Sequence, residues 1–357
     1  MPIELLSFDQ ALDKASGYSK RHLLLGNGFS IACEPAIFTY GSLFEQAKPN
    51  MSDELLKVFE KLGTTDFEAV IRALQDASVI VPIYTEKAPK TAARIAADAR
   101  ALKEALVSAV AGKHPARPND IGDERYSACR QFLATFIGGD AGGKVYTLNY
   151  DLLLYWALMH DPEEDDGLGL NHDDGFRKDP DDLDADYVIW HGETHANSQN
   201  VHYLHGAMHL YDAGAELQKY TWVNTGKALV DQANEAIAAN FFPVFVAEGE
   251  SRQKLAKIKH SAYLHHSYKS FHGICRQGAK TALFIFGHSL AENDRHILHR
   301  IGRSKLAHVF VSLFGDPNSP ANRQIRANAD AIGRLRAEGA APLKIDFFDA
   351  ASAQVWG

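Results

Sequence analysis

Short apolar runs and stretches with helical periodicity alternate along the carboxyl-terminal half of the chain. The predicted strands are FFPVFVA (241–247), TALFIF (281–286), HVFVSLF (308–314) and LKIDFF (343–348). The predicted helices cover 252–277, a stretch from about Asp294, and a stretch that ends at Ala337. Strands that alternate with helices are typical of a parallel sheet covered on both faces, so we expect an α/β fold.

The amino-terminal half has a different pattern. One apolar strand, HLLLG (22–26), precedes a long region of helical periodicity, 43–137, and a second short strand follows at 144–148. An apolar helix then begins at Leu152. We therefore predict one domain over 1–357, built on a Rossmann-like parallel sheet with helices on both faces and an α-helical insertion, 43–137, after the first strand.

Segment 160–186 is strongly biased towards acidic and turn-forming residues, which favours a solvated acidic loop. The alternative is a calcium-binding loop of the EF-hand type. Counted from Asp161, such a loop requires glycine at its sixth position, where this chain has Asp166.

Composition and charge narrow the class of protein. The 357 residues are 46% hydrophobic and 23% charged, which is typical of a globular protein. The net charge of -8 at pH 7 argues against a nucleic acid or an anionic membrane as the main partner, because such surfaces need concentrated Lys and Arg. The sequence starts without the pattern of a signal peptide and contains no run of about 18 apolar residues, so we expect a soluble, cytoplasmic protein.

Possible metal ligands do not form a recognised pattern. The chain has three cysteines, Cys33, Cys129 and Cys275, which are too far apart for a four-thiolate zinc module. VHYLHGAMHLY (201–211) contains three histidines, but His202 and His205 are three apart and would face opposite sides of a strand. HGETH (191–195) is not the HExxH motif, because Glu193 is one position late. We expect no metal.

Glycine or small polar residues end two of the predicted strands. In GNGFS (26–30), Gly26 and Gly28 would let the backbone approach a pyrophosphate, although a structural strand-to-helix turn also favours glycine. FGHSL (286–290) has Gly287 and Ser289 at a second strand end. If the first loop binds phosphates, a Gly28→Val substitution should weaken binding and leave the fold largely intact.

Two further strand ends carry polar side chains. TLNYD (147–151) has Asn149 and Asp151 between a strand and a helix; Asp151 could simply cap the helix, but a cap does not explain the amide of Asn149. His205, followed by Gly206, ends another apolar-flanked strand. Its imidazole is suited to act as a general base near neutral pH, and the alternative is a structural histidine with satisfied hydrogen bonds.

These four motifs, in this order, resemble the sirtuin-type NAD-binding fold, most closely its bacterial NAD-hydrolysing branch associated with anti-phage defence. The motifs are GNGFS, TLNYD, YLHGA (203–207) and FGHSL. The resemblance implies that His205 is the base and that Asn149 and Asp151 hold the nicotinamide ribose, its attacking water and the carboxamide. The NAD-binding residues that it implies are Gly26, Asn27, Gly28, Ser30, Thr147, Gly287 and Ser289.

The chain also departs from the pattern of the protein deacylases in this family. Asn27 stands where the deacylases usually have Ala, no Phe-Arg pair follows in CEPAIFTYGSLFE (33–45), and the cysteine-based zinc module is missing. The expected reaction is therefore hydrolysis of NAD to ADP-ribose and nicotinamide, with water as the acceptor. The alternatives are an ADP-ribosyltransferase and a non-catalytic sensor of NAD or ADP-ribose.

The resemblance also implies how such an enzyme would be used. It points to a regulated bacterial defence effector, because uncontrolled consumption of NAD would kill the host. The implied partner is a second copy of the chain in a homo-oligomer, or a separate regulatory or sensor protein. The sequence leaves open whether NAD or NADP is the substrate.

Overall fold

The computed structural model describes residues 5–38, 43–65, 67–84, 89–111, 114–115, 117–139, 141–160, 167–193, 198–221, 227–239, 241–246, 251–278, 280–336 and 340–357. Over these ranges, no helix combines the length and the apolar character that a membrane crossing would need.

The strands, in chain order, are β1 Leu5–Leu6, β2 Lys20–Leu25, β3 Val145–Thr147, β4 Phe176–Lys178, β5 Tyr187–Trp190, β6 Val201–Tyr203, β7 Gly206–Asp212, β8 Leu217–Tyr220, β9 Phe242–Phe245, β10 Thr281–Phe286, β11 His308–Leu313 and β12 Lys344–Asp349. Each strand predicted from the apolar pattern is found within two residues at each end, although Ala247 lies outside the described residues.

The helices are α1 Phe8–Ala15, α2 Gly28–Cys33, α3 Pro35–Phe38, α4 Leu43–Ala47, α5 Asp53–Leu62, α6 Phe67–Tyr84, α7 Pro89–Ala111, α8 Asp123–Ile137, α9 Leu153–Met159, α10 Leu229–Ala238, α11 Ser251–His260, α12 Ala262–Arg276, α13 Arg295–Gly302 and α14 Pro320–Gly333. The helix predicted over 252–277 is two helices, because Ser261 ends α11 and caps α12 with its side chain. The end predicted at Ala337 lies outside the described residues.

A seven-stranded parallel sheet organises the described part of the chain, with the strand order β1-β12-β11-β10-β2-β3-β6. The predicted α/β class is therefore confirmed. From β2 the chain proceeds to β3 and β6 on one side, and it then returns to β10 and continues to β11 and β12 on the other side. The direction of winding thus reverses between β2 and β10, and ligands of open α/β sheets bind beyond the carboxyl ends of the strands at such a point.

Aromatic packing fixes this sheet against its helices. The ring of Phe8 on α1 lies 5.4 Å from that of Phe132 on α8 and 6.1 Å from that of Phe284 in β10. Phe136 on α8 also contacts Phe284, at 5.3 Å. All four rings are buried, so the central strands that carry the glycine motifs are held from one face by a dry aromatic layer.

The region predicted as mostly helical, 43–137, forms α4 to α8. The last of these helices, α8, packs on β2 and β3, and α6 packs along α7. That this region is an insertion stays a prediction.

A second sheet corrects one expectation drawn from the apolar pattern. It has the order β4-β5-β8-β7-β9 and is antiparallel. FFPVFVA was expected in the parallel sheet, but β9 pairs with β7 in the antiparallel one. The single apolar stretch 201–211 is divided between the sheets, because the chain turns between β6 and β7. An apolar run specifies burial, not the sheet that buries it.

The acidic segment 160–186 is only partly the solvated loop that its composition indicates. Phe176–Lys178 forms β4, and Asp174 is buried, where its carboxylate accepts a hydrogen bond of 2.6 Å from Lys219 Nζ. The calcium-loop positions Asp161 and Asp166 lie outside the described residues.

Candidate functional site

A cleft of about 1150 Å³ lies beyond the carboxyl ends of β10, β2, β3 and β6. These four strands are consecutive neighbours in the sheet, and each carries one of the four motifs found in the sequence. The predicted site residues that line the cleft are Gly26, Asn27, Gly28, Asn149, Asp151, His205, Gly287 and Ser289. Its volume exceeds the roughly 300–1000 Å³ that is usual for drug-sized ligands, so a dinucleotide is of suitable size.

The two glycine motifs contact each other directly at the ends of β2 and β10. The backbone N–H of Gly28 donates to the carbonyl oxygen of Gly287 over 2.7 Å. A Cβ placed on Gly28 would lie 2.5 Å from Cα of Gly287, and Gly287 itself has a φ of 68°. Glycine is therefore required at both positions by backbone packing, whatever ligand the cleft binds.

Asn149 joins the end of β3 to the glycine loop. Its side-chain Nδ2 donates to the carbonyl oxygen of Gly26 over 3.1 Å and to Ser30 Oγ over 2.8 Å. Its backbone N–H donates to Thr147 Oγ1 over 3.0 Å. The amide of Asn149 is thus held in a fixed orientation at the wall of the cleft.

Asp151 acts both as a cap and as part of the same network. Its Oδ1 accepts from the backbone N–H of Leu153 over 3.0 Å at the start of α9, and its Oδ2 accepts from Ser30 Oγ over 2.5 Å. Burial raises the pKa of Asp151, although these hydrogen bonds oppose that shift. Asp151 thus lies one residue before the N-cap position, Leu152, and binds the first N–H of α9, while it also has a place in the cleft wall.

Two predicted site residues, Ser30 and Thr147, are not among the residues that line the cleft. Both are buried behind its wall, and their hydroxyl oxygens accept hydrogen bonds from Asn149. Their side chains orient a cleft residue in this structure. Direct contact between them and a bound dinucleotide stays a prediction.

His205 lies at the turn between β6 and β7, with Gly206 at a φ of 75° immediately after it. Its Nε2 lies 3.1 Å from Nε2 of His296, which belongs to α13, and the two ring centroids lie 5.3 Å apart. Burial lowers the pKa of His205 to about 3, although the nearby Asp294 carboxylate opposes the shift. The imidazole is therefore neutral at pH 7, and this low pKa makes it a weaker base than the near-neutral imidazole expected from the sequence.

Asp294 is the charged centre behind His205. Its Oδ1 lies 2.9 Å from Lys254 Nζ and 3.9 Å from His205 Nε2, and its Oδ2 lies 3.1 Å from His288 Nε2. Burial raises the pKa of Asp294, but the hydrogen bond to His288 and the charges of His205 and Lys254 together hold it well below its ordinary value. The carboxylate is ionised and paired with a buried ammonium group.

Ligand atoms of His205, Asp294 and His296 lie within 4.8 Å of one another, close enough to surround a cation. Two imidazoles and one carboxylate are a donor set found in iron enzymes. Here, however, Lys254 and His288 already contact both carboxylate oxygens, and the ammonium group of Lys254 would repel a cation. The expectation that no metal is needed stays a prediction.

The other histidines of the 201–211 stretch do not join this cluster. His202 is stacked on Tyr146, and its Nε2 lies 3.0 Å from Ser270 Oγ. His209 is buried in the antiparallel sheet, where it stacks on Tyr155. The expected divergence of His202 and His205 is confirmed, because only His205 is among the residues that line the cleft.

Several residues of the site were not predicted from the sequence. His296, Lys254 and His288 converge on His205 and Asp294 from separate elements. An apolar wall adds further cleft residues: Ile31, Pro35, Phe38, Leu148, Met208, Phe314 and Trp356. The indole of Trp356 donates to the carbonyl oxygen of Phe29 over 2.9 Å and so packs against the helix that follows the glycine loop.

Comparison with known families gives one result. A family model described as a domain of unknown function, DUF4917, matches residues 23–356. No curated protein matches the chain.

Proposed function

We propose, from the geometry of the cleft, that this protein hydrolyses NAD to ADP-ribose and nicotinamide. The chain belongs to the DUF4917 family, whose description names no activity. The proposal includes a sirtuin-like mode of binding, with NAD as the substrate and no metal in the reaction. The observation that carries it is the convergence of four strand-end motifs on one cleft at the point where the winding of the sheet reverses.

The arrangement of the cleft suits an elongated ligand with two aromatic ends. The ends of β2 and β10 meet at the glycine contact, where a pyrophosphate could lie against the backbone of Gly26 and Gly28. Asn149 and His205 lie on one side of this glycine contact, where the nicotinamide end of the ligand would bind. Gly287 and Ser289 lie on the other side, next to Ser312 in β11 and Phe314 just after it, which also line the cleft; the adenosine would lie there.

The chemistry assigned to the nicotinamide end requires few groups. The electron pair of the bond between the ribose C1′ and nicotinamide leaves with the nicotinamide, and a water molecule bonds to C1′. His205, which is neutral at pH 7, takes the proton of that water. Both bonds that fix the Asn149 side chain use Nδ2, so Oδ1 is the atom that would bind the water or a ribose hydroxyl. Asp151 would stabilise the positive charge that develops on the ribose.

A specific observation also favours the non-catalytic alternative. Asn149, Ser30 and Asp151 hydrogen-bond to one another and to the backbone, as residues that only shape a binding site would do. A sensor of NAD or ADP-ribose therefore remains the second candidate, and turnover separates it from an enzyme.

The biological role follows from the resemblance alone. We propose a bacterial anti-phage effector that is held inactive by oligomerisation or by a separate regulatory protein. A transfer of ADP-ribose to a protein or nucleotide would use the same cleft.

The test is whether the purified protein releases nicotinamide from NAD, with the nicotinamide measured by chromatography. We expect release without any added acceptor, and we expect His205→Ala and Asn149→Ala each to lower the rate by about 10²- to 10⁴-fold. His299→Ala, on α13 and outside the cleft lining, is the matched control and should keep the parent rate. Melting temperatures of the same preparations show whether each variant is folded.

Each outcome identifies one function. Release only in the presence of an acceptor would indicate a transferase. Binding of NAD without release would indicate a sensor. A folded His205→Ala protein that cleaves NAD at the parent rate would show that the catalytic assignment is wrong.

A further inference from the structure

A continuous line of hydrogen-bonding groups runs from the cleft towards the surface through His205. Its Nε2 lies 3.1 Å from His296 Nε2, and Nδ1 of His296 lies 3.1 Å from Ser251 Oγ. His205 lines the cleft, whereas Ser251, at the start of α11, is partly exposed. The path therefore connects the place where a proton would be produced to a place where solvent can receive it.

The two distances fit a tautomer of each ring in which the protons point from the cleft towards Ser251. The backbone N–H of His296 donates to Ser251 Oγ over 2.8 Å. A hydroxyl oxygen can accept two hydrogen bonds and donate one. Ser251 Oγ can therefore accept from the backbone N–H and from Nδ1 of His296 and still donate to water. In that tautomer the ring proton of His296 lies on Nδ1, and Nε2 accepts from His205 Nε2.

Neither imidazole is suited to keep a proton. Burial lowers the pKa of His205 to about 3 and that of His296 to about 4, although Asp294 opposes both shifts. Hydrolysis of NAD releases one proton for each turnover. A proton taken up by His205 at pH 7 must therefore move on before the next cycle.

On the basis of the proposed hydrolysis, we propose that His205, His296 and Ser251 form a proton relay that carries the proton of the attacking water out of the cleft. The water proton passes to Nδ1 of His205 as the water oxygen bonds to C1′. The Nε2 proton of His205 passes to His296 Nε2, the Nδ1 proton of His296 passes to Ser251 Oγ, and the hydroxyl proton passes to solvent. Exchange with solvent restores the starting tautomers after the products leave.

The charged groups around His205 and His296 favour passage of the proton through the two imidazoles. Asp294 Oδ1 lies 3.9 Å from His205 Nε2, so the carboxylate stabilises a positive charge while it crosses the pair. Lys254 and His288 are the other titratable groups that act on both imidazoles, and both lower their pKa values. The ammonium group of Lys254 thus prevents Asp294 from trapping the proton on either ring.

The test compares substitutions of His296 in the full-length protein. His296→Gln can still hydrogen-bond to His205 but cannot accept a proton and pass on another, so we expect nicotinamide release to fall by about 10²-fold at pH 7. His299→Gln is the same change on the same helix and outside the cleft lining, and it should keep the parent rate. Ser251→Ala removes the exit hydroxyl, together with the acceptor of the His296 backbone N–H, and it should lower the rate by about tenfold even if the His296 variant is poorly folded.

A second measurement does not depend on turnover. Nitrogen NMR of the protein labelled with ¹⁵N-histidine should show a proton shared between Nε2 of His205 and Nε2 of His296, and His296→Gln should remove this signal.

The turnover results separate the relay from the hydrolysis. If the parent protein cleaves NAD and a folded His296→Gln protein keeps the parent rate, then His296 only positions His205. The relay is then wrong, and the proposed hydrolysis is unaffected. If the parent protein does not cleave NAD, the proposed function fails first. Loss of cleavage with EDTA that zinc restores would also overturn the relay, because a metal would then occupy the Nε2 atoms.

Discussion

Gly28 has two possible reasons to be glycine, and the structure separates them. A ligand could need the open backbone, but the backbone of Gly287 already occupies the space that a side chain would need, 2.5 Å from an added Cβ. The expectation that Gly28→Val leaves the fold largely intact is therefore wrong. A branched side chain at this position would push apart the ends of β2 and β10.

We predict that Gly28→Ala destabilises the protein by about 1 to 3 kcal/mol, because overpacking forces the two strand ends apart. The measurement is the melting temperature in the absence of ligand. Gly17→Ala is the matched control, since an added Cβ at Gly17 meets nothing within 4 Å and should leave the melting temperature nearly unchanged. Equal melting temperatures for the two variants would contradict the close contact.

Single residues of the site were predictable where they end an apolar run. Asn149, His205 and Ser289 each follow a strand that the hydrophobic pattern reveals, so their position at one edge of the sheet could be deduced. His296 could not be found in this way. It contacts His205 from 91 positions further along the chain, and nothing in the sequence relates the two.

The junction between β6 and β7 shows how neighbouring residues can belong to two sheets. The sequence indicates a strand end at His205 and Gly206, and the chain leaves the parallel sheet after Tyr203 and enters the antiparallel sheet at Gly206. A positive φ at Gly206 makes the turn possible. His205 owes its place in the cleft wall to this break between two sheets.

We predict that Gly206→Ala costs at least about 3 kcal/mol of stability, because it combines an unfavourable φ of 75° with a Cβ only 1.8 Å from the carbonyl oxygen of Val244. Gly63→Ala is the control. Gly63 also has a positive φ, 62°, but an added Cβ there meets nothing within 4 Å, so the cost should be about 1 to 2 kcal/mol. Urea denaturation of both variants measures the difference. Similar losses would show that the contact with β9 can relax.

Strands outside the strongest apolar runs were missed. β4 and β8 have few consecutive apolar residues, so the hydrophobic pattern is weak there. β5 is apolar throughout, but it is only four residues long and directly follows the acidic segment. The antiparallel sheet was therefore not predicted. This sheet contains a buried ion pair between Asp174 and Lys219. Asp174 lies in the acidic segment, whose composition indicates solvent exposure, and only the tertiary structure reveals that Lys219 is its partner.

For the molecule as a whole, the fold class could be deduced but the strand order could not. Alternation of strands and helices indicates a parallel sheet in any order. The observed order puts β2 between β10 and β3, and this order alone brings the four strand-end motifs to one cleft. The functional proposal thus depends on topology, which arises from contacts between residues far apart in the chain.

Buried histidines in the strands and in the segments that pack around them give the whole molecule a distinctive response to acid. The ones whose pKa burial lowers strongly are His22, His114, His202, His205, His209 and His296. At His114 burial lowers the pKa to about 4, although the hydrogen bond to Pro115 opposes the shift. Its Nδ1 lies 2.9 Å from the carbonyl oxygen of Pro115 and its Nε2 accepts from the backbone N–H of Leu152, so the neutral ring is fully hydrogen-bonded and protonation would break a buried bond.

These histidines should make the native state sensitive to mild acid. Each has a folded pKa below its ordinary value of about 6.5, so the unfolded chain binds more protons between that pH and the folded pKa, and stability falls as the pH falls. Each histidine lowers the free energy of unfolding by up to about 1.4 kcal/mol per pH unit, so the six histidines together cancel a typical stability of about 5 to 15 kcal/mol within one to two pH units.

We predict that the protein unfolds cooperatively near about pH 5. Circular dichroism measures the unfolding, and calorimetry measures the uptake of several protons. His260→Gln, on the exposed end of α11, should leave the midpoint unchanged. A native spectrum that persists below about pH 4 would show that these imidazoles are not buried in their neutral form.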